Sequence, residues 1–245
     1  MKIIILQDEA AIGKAAGDMF CALVQKIPKA VIGLATGATP LPCYGRMAER
    51  CKLGDVSFKN VTTFNLDEYC NLPEEHPNSY RSYMRMELFD KIDIDQKNTH
   101  FLDGNTNDET AECQRFDAMI EQSGGIDLQL LGIGRNGHIG FNEPGKAFTE
   151  GSFKVELTTS TIAANSVYFT DAPMPRYAMT MGVGSIMRAK EIVLIATGAT
   201  KAEAVKAMLE GEIDPRCPAS ILQQHKNVTI YLDPPAASLL EEKNS

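Results

Sequence analysis

An amide, an imidazole and a carboxylate follow one another closely in a glycine-rich stretch of this sequence, residues 132–144. The three side chains belong to Asn136, His138 and Glu143. An imidazole titrates near neutral pH, a carboxylate can orient it or tune its proton affinity, and an amide offers both a donor and an acceptor. These residue types at this spacing favour an acid–base site that moves protons.

The opening of the same stretch reads G-x-G-x-x-G and follows the apolar run 126–131. This pattern is the outline of a dinucleotide-binding fingerprint. The fingerprint requires a helix to start at the third glycine, because the N–H groups of that helix hold a pyrophosphate. Here the third glycine, Gly137, is followed by Gly140 and by Pro144, which disfavours helical backbone at the residue before it. The sequence therefore predicts a loop and not a cofactor cradle.

Two adjacent acids, Asp67 and Glu68, follow the apolar run 61–66. Neighbouring side chains on a strand or tight loop point to different sides, so one acid can face a cleft while the other faces structure. A solvated loop acid is the common outcome for such residues. The position of Asp67 at the end of an apolar strand nevertheless makes it a candidate catalytic acid or base.

The pentapeptide Ala-Thr-Gly-Ala-Thr occurs twice, at 35–39 and at 196–200, each time where a predicted strand meets a predicted helix. One interpretation is repeated use of good turn and cap residues, with Gly for the turn and Thr for the helix N-cap. The other is that one or both junctions bind an anion through exposed N–H groups at a helix N-terminus. Lys201 follows the second copy and would add a positive charge there.

Strand-length apolar runs alternate with helical segments along the chain. The predicted strands are 3–6, 31–35, 61–66, 126–131, 192–196 and 228–232, and the predicted helices are 8–26 with Asp8 as its cap, 44–51, 80–89, 109–122 and 200–209. Near-continuous Ile/Val/Leu runs are typical of strands covered on both faces. The alternation predicts a three-layer, Rossmann-like α/β fold, a mostly parallel sheet with helices on both faces, as one catalytic domain over 1–245. Ligands of such folds lie beyond the carboxyl ends of the strands, where the candidate residues fall.

Composition narrows the function classes. The net charge of −8 without a basic run disfavours nucleic acid as a partner. The six cysteines are scattered without a C-x-x-C pair, which argues against a disulfide framework or a zinc site. The chain has no apolar run of the ~20 residues that cross a bilayer and no signal-peptide pattern, so we expect no membrane association and a cytoplasmic location.

Four motifs in order resemble the glucosamine-6-phosphate deaminase family, and the resemblance covers essentially the whole chain. The motifs lie at 34–40, 65–69, 75–80 and 132–144. The 6-phosphogluconolactonases share the fold, but their corresponding loop continues without the Phe-Asn-Glu-Pro found here at 141–144. Glu143 therefore favours the deaminase over lactone hydrolysis.

The resemblance implies a mechanism in which His138, positioned by Glu143 and Asn136, moves a proton between the ring and anomeric oxygens and opens the pyranose. Asp67 then takes the proton from C2 and delivers it to C1 through an enolamine. Water attacks C2 as ammonia leaves, giving fructose 6-phosphate from glucosamine 6-phosphate. The implied phosphate ligands are Thr36, Gly37, Ala38, Thr39 and Lys201. All steps are proton transfers, so the resemblance implies neither a metal nor an organic cofactor.

Two positions depart from the family pattern. Asn136 stands where many members carry Asp, and its amide can orient His138 but carries no charge. Val167 stands where members commonly place an arginine that grips the phosphate. We expect the loss of this arginine to weaken phosphate binding unless another cation, such as Lys154 or Arg176, replaces it.

The resemblance also implies a lid segment near 145–170. The basic cluster of the allosteric members is broken at 153–156, so we expect no activation by N-acetylglucosamine 6-phosphate, and the oligomeric state is left open. The departure at Val167 leaves galactosamine 6-phosphate open as the substrate.

A non-catalytic sugar-phosphate-sensing module is the second hypothesis. Such a module would need an attached helix-turn-helix, and none fits before the first predicted strand.

Overall fold

The parallel sheet predicted from the apolar runs is present. The computed structural model describes residues 1–169 and 173–241. The strands of this sheet are β1 (Lys2–Ile5), β2 (Val31–Leu34), β3 (Thr62–Asn65), β5 (Thr99–His100), β6 (Leu128–Leu131), β9 (Glu191–Ala196) and β10 (Val228–Leu232). Their order is β1-β10-β9-β6-β2-β3-β5, and every neighbouring pair is parallel. The predicted fold class is confirmed, while the organisation as one catalytic domain stays a prediction.

Helices surround this sheet. They are α1 (Glu9–Lys26), α2 (Leu41–Lys52), α3 (Tyr80–Glu87), α4 (Glu109–Gln122), α5 (Thr159–Asn165), α6 (Val183–Met187) and α7 (Ala202–Glu210). The five predicted helices correspond to α1, α2, α3, α4 and α7. Asp8 caps α1 as predicted, because its carboxylate accepts the N–H of Ala11 at 2.8 Å. No described helix is long and apolar enough to span a membrane.

The predicted threonine caps are wrong at both pentapeptides. Helix α2 follows Pro40 and α7 follows Lys201, and neither cap residue makes a side-chain cap hydrogen bond. Proline is accepted in a first helical turn because the N–H it lacks has no partner there. Helix α2 therefore starts earlier than predicted, before Pro42. A 3₁₀ turn, Ala199–Lys201, precedes α7 and displaces its start from Thr200.

A second, antiparallel sheet was not predicted. It consists of β4 (Asp67–Tyr69), β7 (Phe153–Glu156) and β8 (Tyr177–Thr180) in the order β4-β8-β7. Its strands are too short for a recognisable apolar alternation. The predicted lid segment contains β7 and α5, and its last residue, 170, lies outside the described residues.

Leu66 is the only residue between β3 of the parallel sheet and β4 of the small sheet. Its N–H donates to Leu34 O at 3.0 Å, and its carbonyl accepts the N–H of Met181 at 2.7 Å. The N–H of Leu66 is thus paired with β2 of the parallel sheet, and its carbonyl with the residue that follows β8 of the small sheet. We call this junction the seam at Leu66; it fixes the position of the next residue, Asp67.

The carboxyl ends of four neighbouring strands bring the candidate residues to one edge of the parallel sheet. Strands β9, β6, β2 and β3 are consecutive in the sheet and run in the same direction. The segments that follow them carry Lys201, the loop 132–144, the pentapeptide 35–39 and Asp67, respectively. The topology therefore places all four segments where open α/β sheets bind ligands.

Candidate active site

The stretch 132–144 is a loop, as predicted, and it contains no helix. Gly137 and Gly140 have positive φ angles of 84° and 55°, which L-residues rarely adopt. Asn142 anchors the loop, because its buried amide donates to the carbonyls of Ile139 and Met181, both at 2.9 Å. The loop is therefore a fixed, turned backbone that can hold side chains in place.

Asn136, His138 and Glu143 lie together in this loop. The Asn136 amide donates to Glu143 Oε2 at 2.6 Å and accepts the backbone N–H of His138 at 3.2 Å. His138 Nδ1 lies 3.3 Å from Glu143 Oε1, which is within ion-pair distance but lacks the alignment of a hydrogen bond. The carboxylate thus faces the imidazole, and the amide ties both to one another.

Gly134 leaves the space that the imidazole occupies. A Cβ built on this glycine would lie less than 3.0 Å from three ring atoms of His138. The N–H of Gly134 also donates to the carbonyl of His138 at 2.9 Å. Any larger residue at 134 would push the ring out of its place.

Glu143 is held as a carboxylate. Burial opposes its ionisation, but His138 and hydrogen bonds from Thr161 and Asn136 outweigh burial and lower the pKa of Glu143 to about 2. Thr161 Oγ1 of α5 donates to Glu143 Oε1 at 2.7 Å. Sequence reasoning missed Thr161, because α5 was not predicted and several threonines near it look alike in sequence.

Asp67 and Glu68 have different environments, as the alternation along a strand predicts. Glu68 accepts the backbone N–H groups of Tyr69, Tyr80 and Arg81, each at 2.9 Å, and so caps the start of α3. Within the described chain, the buried Asp67 carboxyl accepts no hydrogen bond. Burial, and secondarily the charge of Glu68, raise the pKa of Asp67 to about 8.

Gly140 brings the loop against Asp67. A Cβ at Gly140 would lie 3.5 Å from Asp67 Oδ2 and 3.0 Å from Thr180 Oγ1, so the backbone passes close to both. Thr180 pairs with Asp67 in the small sheet and accepts the N–H of Phe141 at 3.1 Å. The structure thus brings together Asp67 and the loop of His138, which the sequence could not show.

The first pentapeptide presents open N–H groups. Its glycine, Gly37, has a φ of 98°, and its carbonyl accepts the Tyr83 hydroxyl at 2.6 Å. The carbonyl of Ala35 accepts the Tyr44 hydroxyl, which in turn accepts the N–H of Ala35. The backbone N–H groups of residues 36–39 donate to no atom of the described residues. Open donors with occupied carbonyls suit an anion.

The second pentapeptide differs. The N–H of Gly198 already donates to the carboxylate of Asp233, at 3.0 Å to one oxygen and 2.9 Å to the other. The Thr197 hydroxyl donates to Glu9. At this junction the protein's own carboxylates occupy the Gly198 N–H and the Thr197 hydroxyl, two donors that an anion would use. The second copy therefore fits the anion-binding interpretation less well than the first.

Two cations lie at the loop, Arg135 within it and Lys201 beside it. Lys201 is half-buried, and its Nζ donates to Ile133 O at 2.7 Å. Burial, and next the positive charge of Arg135, lower the pKa of Lys201. Arg135 is exposed and makes no ion pair or hydrogen bond with any described residue. Sequence reasoning missed Arg135, although a cation inside a glycine-rich loop after a buried strand was a usable signal.

The two cations considered as substitutes at Val167 are already paired. Lys154 Nζ lies 2.7 Å from Glu109 Oε1, and Arg176 lies 3.4 Å from Glu156 Oε1. Val167 itself is exposed. The suggestion that Lys154 or Arg176 replaces the family's arginine therefore finds no support in these contacts.

Acid–base groups beside open N–H donors, all at one edge of a parallel sheet, define the class of α/β enzyme that moves protons on small anionic substrates. The chain belongs to the family of glucosamine-6-phosphate isomerases and 6-phosphogluconolactonases, whose model matches residues 7–231.

Full-length relatives make the similarity more specific. The chain is 46% identical to a glucosamine-6-phosphate deaminase of Shewanella woodyi, covering 100% of this chain and 93% of that protein. It is 47% identical to one of Rhodopirellula baltica, covering 98% and 96%. A solved monomeric glucosamine-6-phosphate deaminase superposes with a TM-score of 0.94 at 42% identity, covering 98% of this chain and 100% of the other. A 6-phosphogluconolactonase from Trypanosoma brucei, with a TM-score of 0.73 at 21% identity over 98% of each chain, shares the fold alone.

Proposed function

We propose that this chain is a glucosamine-6-phosphate deaminase that converts glucosamine 6-phosphate and water into fructose 6-phosphate and ammonia. The observation that carries the proposal is the buried Asp67 carboxyl, which accepts no hydrogen bond from a described residue and lies beside Gly140 of the loop that holds His138 and Glu143. The full-length similarity to deaminases supports the same substrate and reaction. Because the net reaction consumes water, its assignment as a hydrolase-class deaminating isomerase belongs to the proposal.

Ring opening is the first proton transfer of the proposed mechanism. His138 takes the proton of the anomeric hydroxyl and returns a proton to the ring oxygen, which opens the pyranose. The charged Glu143 stabilises the imidazolium formed in between, and Asn136 holds the carboxylate in place. A positioned acid–base group of this kind contributes roughly two to four orders of magnitude in rate.

Isomerisation and deamination follow. Asp67 removes the C2 proton of the open-chain sugar and delivers it to C1, so that the enolamine becomes an iminium at C2. Water adds to C2 and ammonia leaves, which completes the balance. A pKa of about 8 suits a group that must take a proton and give it back near neutral pH.

The direct test is turnover by the purified protein. With glucosamine 6-phosphate we expect equal amounts of ammonia and fructose 6-phosphate, measured by coupled assays. Galactosamine 6-phosphate, assayed in parallel, separates the two substrate hypotheses. Saturable binding without ammonia from either sugar would instead support a sensing module and contradict the proposed enzyme. We expect no change in rate on adding N-acetylglucosamine 6-phosphate.

The phosphate group is proposed to lie on the N–H groups of residues 36–39, with Lys201 and Arg135 as its cations. Replacing Lys201 by Ala should raise KM roughly tenfold or more, because a charge-assisted hydrogen bond to the phosphate is lost. Replacing Arg135 by Ala should raise KM less than replacing Lys201. Because the Arg135 side chain is exposed, the KM of this variant should approach that of the unmodified protein at high salt. Steady-state kinetics at two salt concentrations measure both effects.

Lys154→Ala is the matched control for these variants. Its ammonium is paired with Glu109, so KM should stay unchanged. If KM were unchanged in the Lys201 and Arg135 variants as well, the phosphate would bind elsewhere.

A further inference from the structure

One oxygen of Glu143 is shared between the acid–base loop and helix α5. Glu143 Oε1 accepts the Thr161 hydroxyl at 2.7 Å and lies 3.3 Å from His138 Nδ1. The Thr158 hydroxyl lies 3.5 Å from the same oxygen and 3.0 Å from Thr161 Oγ1. The other carboxylate oxygen, Oε2, is held by Asn136.

This sharing leaves His138 with an incomplete contact. Its Nδ1 is buried and has no aligned hydrogen bond within the described chain, although a charged carboxylate oxygen stands next to it. The short bond from Thr161 competes for the lone pairs and fixes the direction in which the carboxylate points. A displacement of Thr161 by a fraction of an ångström would therefore change how strongly Glu143 interacts with His138.

Thr161 is well placed to control the carboxylate. The residue is buried, with 7% of its surface exposed, and belongs to a helix that caps itself through Thr158, whose side chain accepts the N–H of Thr161 at 3.2 Å. The hydroxyl thus moves with α5 and not on its own. Helix α5 lies in the same segment as β7, outside the loop that carries the imidazole.

We propose that Thr161 is a positioning residue that couples α5 to the acid–base pair, by withholding Glu143 Oε1 from His138. The basicity of His138 then depends on where α5 stands. The significance for catalysis rests on the proposed function, whereas the coupling itself concerns only the titration of His138.

Few other titratable groups surround this pair. Cys217 lies against Gly137, Asp67 lies beyond Gly140, and Lys201 donates to Ile133 beside Arg135. None of them is hydrogen-bonded to Thr161. A change in His138 titration after removal of the Thr161 hydroxyl therefore reports on Glu143.

Thr161→Val replaces the hydroxyl by a methyl group of similar shape. Glu143 Oε1 then keeps its charge but loses its shortest neutral donor, so the protonated imidazole becomes its best partner. We expect the pKa of His138 to rise by roughly half a unit relative to the unmodified protein. The acid limb of the kcat profile should move to higher pH by a similar amount, while KM changes little.

The measurement is an NMR titration of the imidazole C–H signals. The chain has four histidines, so a His138→Asn variant assigns the signal. Thr161→Ser, which keeps the hydroxyl, should restore the original pKa. Thr159→Val, an exposed position on the same helix, is the matched control and should leave the pKa unchanged. Thr161→Ala serves in place of the valine variant if thermal melting shows that the latter does not fold.

The outcomes distinguish the coupling through Thr161 from the proposed deaminase function. A rise in the Thr161→Val variant that the serine variant reverses supports the coupling, even in a protein that releases no ammonia. An unchanged His138 pKa in folded Thr161→Val and Thr161→Ala protein overturns the coupling, even if deamination is observed.

Discussion

Asp67→Asn is expected to reduce kcat by at least roughly a thousandfold and to abolish solvent exchange of the C2 proton. The amide cannot take a proton, and no other carboxylate among the described residues stands at this position. Binding should persist, because the phosphate ligands are unchanged. Deuterium exchange followed by NMR, together with a binding titration, measures the two effects separately. C2 exchange at the original rate would exclude Asp67 as the base.

The free energy of unfolding of Asp67→Asn, relative to the unmodified protein, should increase as the pH rises. The pKa of Asp67 is raised from 3.8 to about 8 in the folded state, so between these values the folded state binds more protons than the unfolded state. Wild-type stability therefore falls through this window, by at most about 1.4 kcal/mol per pH unit. Denaturant unfolding should show the advantage of Asp67→Asn growing by roughly 4 kcal/mol between pH 5 and pH 8.5. Comparing two pH values cancels the constant cost of burying an amide.

Activity should have the opposite dependence on pH. In the free enzyme the Asp67 carboxyl is mostly protonated at pH 7, so the fraction able to take a proton increases towards pH 8. We expect kcat/KM to rise with pH until this group is ionised. A flat profile between pH 6 and pH 8.5 would contradict the raised pKa.

Glu68→Gln is the matched control for Asp67→Asn. Its carboxylate accepts three backbone N–H groups at the start of α3, and a glutamine offers only one acceptor oxygen. We expect Glu68→Gln to lose stability but to keep solvent exchange of the C2 proton, which Asp67→Asn should abolish. Loss of exchange in one variant only would separate a catalytic carboxyl from a structural one.

Gly134→Ala has the second large expected effect. The added Cβ would lie less than 3.0 Å from the ring of His138, which can move only by leaving its place opposite Glu143. Because the obstacle is the end of a side chain and not backbone, the protein should still fold. We expect kcat to fall roughly a hundredfold or more, while KM, set largely by the phosphate contacts, changes little.

Gly132→Ala is the control within the same loop. A Cβ at Gly132 meets no atom within 4 Å, and its φ is not in the left-handed region. Activity should be close to that of the unmodified protein. Equal losses in both variants would mean that loop flexibility, and not the place of the imidazole, limits turnover.

The parallel sheet was predictable from sequence because its strands are buried on both faces and read as continuous apolar runs. The small sheet was not, because strands such as β4 carry Asp-Glu-Tyr and owe their pairing to partners distant in the chain. The acid–base loop was predictable for a local reason: glycines and Pro144 rule out a helix. Its proximity to Asp67 depends on the turn at Gly140 and on Thr180, which no local pattern encodes.

The two identical pentapeptides show the same limit. In the first copy the N–H groups of residues 36–39 donate to no described atom, and two tyrosine hydroxyls occupy the carbonyls of Ala35 and Gly37. In the second copy the N–H of Gly198 is occupied by Asp233, a residue that follows β10, the strand next to β9. Identical local sequence therefore acquires different chemistry from its neighbours in space.

The seam at Leu66 has a consequence for how the reaction is divided. In the proposed mechanism the imidazole that opens the ring follows a strand of the parallel sheet, whereas the carboxyl that moves the C2 proton belongs to the small sheet. Thr180 connects the loop to the small sheet, because it pairs with Asp67 and accepts the N–H of Phe141. Because the two groups belong to different sheets, we expect a shift of one sheet on the other to leave anomers interconverting on an enzyme that no longer releases ammonia.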